Sequence, residues 1–123
     1  MATKWEVFFI PLCRHTKPVP KPKLVVIIYT NLSPYGFLIN SSINRFVSNR
    51  PYLLPCEALI PLAQHSSFLK QDSYLDCRDA FPFDLAELNQ PRGFLSPDAQ
   101  KSVLEAVDNC PVLEGIHKQR ILS

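Results

Sequence analysis

Two short stretches of this chain carry side chains suited to handling a phosphate. The first runs from Arg14 through His15, Lys17 and Lys21 to Lys23, interrupted by Pro18, Pro20 and Pro22. Proline fixes φ and removes a backbone donor, so this stretch reads as a stiff, cationic loop. Such cations neutralise a polyanion and, placed at a scissile phosphate, stabilise the charge that develops in the transition state. The same composition also suits a loop that stays exposed only because it is charged. The second stretch is Asn40-Ser41-Ser42, where an apolar run ends in hydrogen-bonding side chains. These either position a phosphate or a ribose hydroxyl, or simply turn the chain at a strand end.

Other chemistry is poorly served. Cys13-Arg14-His15 invites a cysteine-nucleophile reading, but neighbours on an extended strand point to opposite sides, away from the pairing that activates a thiol. His65 and His117 stand in separate segments without metal-ligand spacing, and Cys13, Cys56, Cys77 and Cys110 form no C-x-x-C pair. No metal site and no cofactor are expected, and the thiols read as reduced and packed. Asp72, Asp76, Asp79, Asp84 and Glu87, interspersed with Arg78, hold a general base or form a solvated face. No glycine-rich phosphate loop is present.

The elements that must position these residues are punctuated by 12 prolines against 3 glycines. Lys4 to Ile10 is aromatic and β-branched and reads as a first strand stopping at Pro11. Leu24-Val25-Val26-Ile27-Ile28-Tyr29 is a continuous apolar run, the pattern of a strand buried on both faces and the centre of a sheet. Asn31 to Gly36 is dense in turn formers and leads into Phe37 to Ile43, so these two strands form a hairpin. That pairing sets the basic loop beside Asn40-Ser41-Ser42. Tyr52-Leu53-Leu54, between prolines, reads as a short edge or extended segment, and Glu57 to Gln64 is ambiguous. Ser73 to Arg78 alternates as a half-buried strand, with Phe81 and Phe83 sealing the core. Ser96 is a helix N-cap with Pro97 at the first turn, and Val103, Leu104 and Val107 share a stripe that ends near Asn109. Leu113, Ile116, Arg120 and Ile121 mark a second short helix, weakened by about 1 kcal/mol at Gly115 relative to alanine.

At 123 residues and 46% hydrophobic content, the chain predicts one domain over residues 1–123 with a single core. Its fold class is α+β: short antiparallel strands in a compact sheet or barrel, then helices. A net charge of +2 excludes a polycation that coats nucleic acid indiscriminately, so any such role rests on a local patch. No apolar run approaches the roughly 20 residues that cross a bilayer, and the N-terminus lacks the features of a secretion signal; a cytoplasmic protein is expected.

Four short motifs in this order resemble the PemK/MazF-like toxins of toxin–antitoxin systems, over about residues 4 to 108. Lys21-Pro22-Lys23 precedes the hydrophobic strand where that family has Arg-Pro. Ser41-Ser42 ends the next strand where the family has Thr or Ser. Asp72-Ser73-Tyr74-Leu75 and Leu95-Ser96-Pro97-Asp98 match a later strand and the helix start. The resemblance implies a small SH3-like antiparallel β-barrel with C-terminal helices, acting as a homodimer. It implies metal-independent cleavage of single-stranded RNA, and a small acidic antitoxin that blocks the groove. By it, Lys21 takes the Arg place, with Lys23 a second candidate, and Ser41 or Ser42 takes the hydroxyl place. Arg14 is a further candidate, because lysine lacks the bidentate fork of guanidinium. His15, Lys17, Lys23, Asn40 and Arg45 are then expected to contact RNA. The chain departs from the family in having Lys4-Trp5-Glu6 where many members open with Gly-Asp. The competing expectation is a non-catalytic module on the same barrel that engages a protein or nucleic acid through the proline-rich loop and Trp5, Tyr35 or Tyr52.

Overall fold

The structure is a computed structural model that describes residues 2–123. Six strands, β1 (Glu6–Cys13), β2 (Lys21–Asn31), β3 (Ser33–Asn40), β4 (Glu57–Ile60), β5 (Ser73–Pro82) and β6 (Pro91–Phe94), form one sheet in the order β4-β5-β3-β2-β1-β6. Every neighbouring pair is antiparallel. The sheet curls into a half-barrel covered by α2 (Pro97–Asn109) and α3 (Gly115–Leu122), and a single turn, α1 (Arg45–Ser48), follows β3.

β2 sits near the middle and is buried on both faces, as its unbroken apolar run requires. Val26 and Ile28 join Val7, Phe37, Leu75, Val103, Val107 and Ile121 under the helices. Val25 and Ile27 join Phe8, Ile10, Cys13 and Phe83 on the opposite face. Gly36 is required where β3 crosses β2, because a Cβ there would lie 2.9 Å from the Val26 carbonyl oxygen.

The α+β class and the C-terminal helices are as the sequence predicts. Ser96 caps α2, its hydroxyl accepting from the Ala99 amide at 3.1 Å. Several boundaries differ. β1 runs through Pro11 to Cys13, because Pro11 and Leu12 fall in a register break against β2 where no ladder donor is needed. The β2–β3 turn is tighter than Asn31 to Gly36: Leu32 alone makes it, at φ 66°. Pro51–Cys56 is a 3₁₀ turn rather than an extended segment, and the ambiguous stretch resolves into β4 and a second 3₁₀ turn, Leu62–Gln64. Phe83 seals the core as expected, while Phe81 is only half-buried. Gly115 opens α3 instead of interrupting it. All four cysteines are free and buried. Among the described residues no helix is long and apolar enough to cross a membrane.

Candidate functional site

Period-two geometry builds the site. Lys21 and Lys23 share one face of β2, Leu38 and Asn40 share one face of β3, and Asp76 and Arg78 share one face of β5. Antiparallel registers, with Leu24 opposite Ile39 and Leu38 opposite Asp76, bring these rows together. They form the floor of a cleft of about 440 Å³, walled by His15, Thr16 and Lys17 of the loop before β2, by Asp79 and Phe81 of β5, and by Asn44.

The floor is cationic and pre-positioned. The Lys23 ammonium donates to the Asn40 side-chain oxygen and, at 3.3 Å, to the Ile39 carbonyl. Burial pushes Lys23 below the ordinary lysine value, and Lys21 adds to that push while Asp76 opposes it. Arg78 forks onto Asp76, Nε to Oδ1 at 2.9 Å and Nη2 to Oδ2 at 2.7 Å, and this hydrogen bonding raises its pKa. Behind Asp76, directly across the strand pair, stands Glu57 of β4. Both Glu57 carboxyl oxygens are buried without a hydrogen-bond partner among the described residues. Burial, and then the Asp76 charge, push its pKa up to about 8. Burial thus favours the protonated form of Glu57, while the Asp76 carboxylate oxygens hold Arg78 and Asp79 lies in the same cleft.

His15 is held by three contacts. Its ring stacks on Phe81 at 4.7 Å and meets Phe83 edge-on at 5.1 Å, and Nε2 lies 2.8 Å from the Pro82 carbonyl oxygen. A carbonyl only accepts, so Nε2 carries the hydrogen. In the neutral ring Nδ1 is then the basic nitrogen, and it has no hydrogen-bond partner among the described residues.

The structure thus gathers His15, Lys17, Lys21, Lys23 and Asn40 around one cleft. The other candidates lie elsewhere. The Arg14 guanidinium is engaged by the Pro82 carbonyl at 2.9 Å and the Glu87 carboxylate at 3.3 Å. Ser41 lines a neighbouring open groove with Phe9, Phe68 and Lys70, which Lys23 also reaches. Ser42 and Arg45 are exposed beyond the end of β3 and line neither depression. Sequence reasoning passed over Asn44 and Glu57 and left Asp76 and Arg78 among a generic acidic face. An Asp-x-Arg pair on an alternating strand was the signal for the last two. Of the aromatics in the binding-module reading, only Tyr52 is well exposed; Trp5 and Tyr35 pack against the core. His65 is buried and structural, and among the described residues no cluster of His, Cys, Asp or Glu is arranged to hold a metal.

No family model matches the chain, and no curated protein matches it. Among solved structures it is similar to the Mycobacterium tuberculosis toxin MazF-mt6, with a TM-score of 0.62 and 16% identity, over 89% of this chain and 98% of that chain. The chain therefore has a MazF-like α+β fold, as the order of its short motifs implies, at low sequence identity.

Proposed function

We propose that this MazF-like chain is a toxin-like endoribonuclease that cuts single-stranded RNA without a metal ion, and that the cleft floored by Lys21, Lys23, Asn40 and Arg78 is where it cuts. The observation that supports this reading is the convergence of those side chains with His15 on one cleft of a sheet that matches a toxin's.

RNA brings its own nucleophile, the ribose 2′-hydroxyl, so the protein needs only to take its proton, hold the phosphate and stabilise added charge. His15 Nδ1 is the proton acceptor in this reading. Lys21 and Lys23 face the phosphate and stabilise the extra negative charge of the pentavalent state, a task that needs no metal where fixed cations already converge. The Arg78 N–H groups not bound to Asp76 add a directional donor, and Asn40 holds the Lys23 ammonium in place. The 2′-oxygen bonds to phosphorus, the P–O5′ bond breaks, and the leaving oxygen takes a proton. The products are a 2′,3′-cyclic phosphate and a 5′-hydroxyl, and no co-reactant is consumed. Ser41, in the groove that shares Lys23, contacts the adjoining nucleotide. Lys17 adds a further phosphate contact, Ser42 and Arg45 flank the path, and Arg14 buttresses the loop through Glu87.

A cationic cleft of this kind is blocked by a small acidic partner, the antitoxin of the same reading, and a cytoplasmic setting follows from the substrate. The exposed Leu59 on edge strand β4 and Phe94 on edge strand β6 leave apolar surface for a second copy, in keeping with a homodimer.

Lys21→Ala and Lys23→Ala are each expected to lower kcat/KM on a single-stranded RNA by about 10²-fold, with the circular dichroism spectrum unchanged. An RNA carrying a 2′-deoxynucleotide at the mapped cut should resist the wild type. Unchanged cleavage by both lysine variants would remove the mechanism.

A further inference from the structure

A second feature adjoins the cleft without belonging to its floor. Phe46, on α1, leaves 49% of its surface open, although it is a large apolar side chain. The turn that carries it is rigidly built. Asn44, which lines the cleft, accepts from the Phe46 amide at 2.7 Å, and Val47 of the same turn is fully buried. Two guanidinium groups lie over the ring: Arg50 at 3.7 Å from its centroid and Arg78 at 5.5 Å. Arg50 is fixed in turn by donating to the Phe46 carbonyl at 3.1 Å. The Arg78 side chain is the shared part, because it reaches Phe46 while lining the phosphate cleft.

We infer that Phe46, with Arg50 and Arg78, is a stacking platform for one unpaired nucleobase of the RNA strand whose phosphate lies in the cleft. This rests on the RNA reading above and adds a base subsite to it. Aromatic rings and planar guanidinium groups are the surfaces on which unpaired bases stack, and every base has a π-face, so the subsite tolerates any base while demanding that it be unpaired. A base in a duplex has both faces covered and is refused. Rigid anchoring of α1 means that little ordering cost falls on the protein when the base arrives. The surroundings match the ligand: Arg45 and Arg50 supply positive charge on the turn itself, while Arg78 is paired with Asp76 and offers the flat face of its guanidinium, with Asp79 the further acid of the adjoining cleft.

The test is a double-mutant cycle read by fluorescence anisotropy. The probes are an uncleavable 2′-O-methyl single strand and a series of the same strand with one abasic position moved along it. Phe46→Leu keeps the apolar volume and removes the ring, and Phe46→Trp restores a ring. The wild type should bind the intact strand about tenfold more tightly than the strand lacking the base at one particular position. Phe46→Leu should lose that preference while still binding the abasic strand like the wild type, and Phe46→Trp should retain it. If the losses from Phe46→Leu and from the abasic sites simply add at every position, the platform is overturned, and the face is left to another partner such as an acidic peptide. If the wild type and Phe46→Leu both fail to bind any of these strands, the RNA reading falls and this inference falls with it.

Discussion

Glu57 never reaches the cleft, yet its proton decides how many charges surround Arg78. Paired across the strands with Asp76 and stripped of water, it keeps its proton up to about pH 8 in the folded chain. In the unfolded chain it ionises at the ordinary carboxylate value of 4.5. Between these values the unfolded state binds fewer protons than the native one, so the Glu57 contribution to stability is full below about pH 4.5 and is lost as pH rises through about 8. Glu57→Gln keeps the shape and removes the titration. The Tm of the wild type relative to this variant is therefore expected to fall by several degrees between about pH 5 and pH 9, measured by scanning calorimetry. A difference that stays constant with pH would show that Glu57 does not hold a proton against Asp76. None of this was legible in the sequence, where Glu57 stood in an ambiguous stretch. Its effect arises from a strand pairing between residues 19 positions apart, which no local pattern reveals.

The strongest local signals gave the elements their places. The apolar run of β2 and the Ser96-Pro97 start of α2 predicted their own structure, because one is a period and the other a cap, both properties of adjacent residues. What escaped was α1, whose single turn is fixed by Asn44 and by burial of Val47, and β6, a strand of four residues that opens on Pro91. Neither is long enough to show a period. His65 had no apparent task in the sequence and turns out to tie elements together. Its Nδ1 donates to the Pro61 carbonyl at 2.7 Å, and its Nε2 accepts from the Ser96 amide at 3.0 Å, so the N-terminus of α2 is clamped to the 3₁₀ turn after β4. His65 is 1% exposed, so removal leaves a cavity and two unpaired backbone groups. His65→Ala is expected to cost about 3 kcal/mol in urea unfolding, within the range for large buried truncations combined with lost hydrogen bonds. A loss below about 1 kcal/mol would mean that α2 is held by its apolar face alone.

On the scale of the whole molecule, the strand order β5-β3-β2 and its registers set the start of β2, the end of β3 and the middle of β5 side by side, and the cleft follows from that arrangement. The hairpin that places Lys21 and Lys23 beside Asn40 was readable, since it joins neighbours in the chain. The contribution of β5 was not, because Asp76 and Arg78 arrive from a distant segment, and the engagement of Arg14 by Glu87 likewise depends on the finished fold. The same architecture is reached at 16% identity because such a sheet asks for an apolar pattern and a few turns rather than for particular residues. The proposed function, by contrast, rests on the cleft. The most direct measurement is incubation of the purified protein with a long single-stranded RNA in EDTA, followed by mapping of the ends. Discrete cuts bearing 2′,3′-cyclic phosphates and 5′-hydroxyls are the predicted result. RNA that stays intact at high protein concentration would contradict the account and leave a non-catalytic binding module on the same fold.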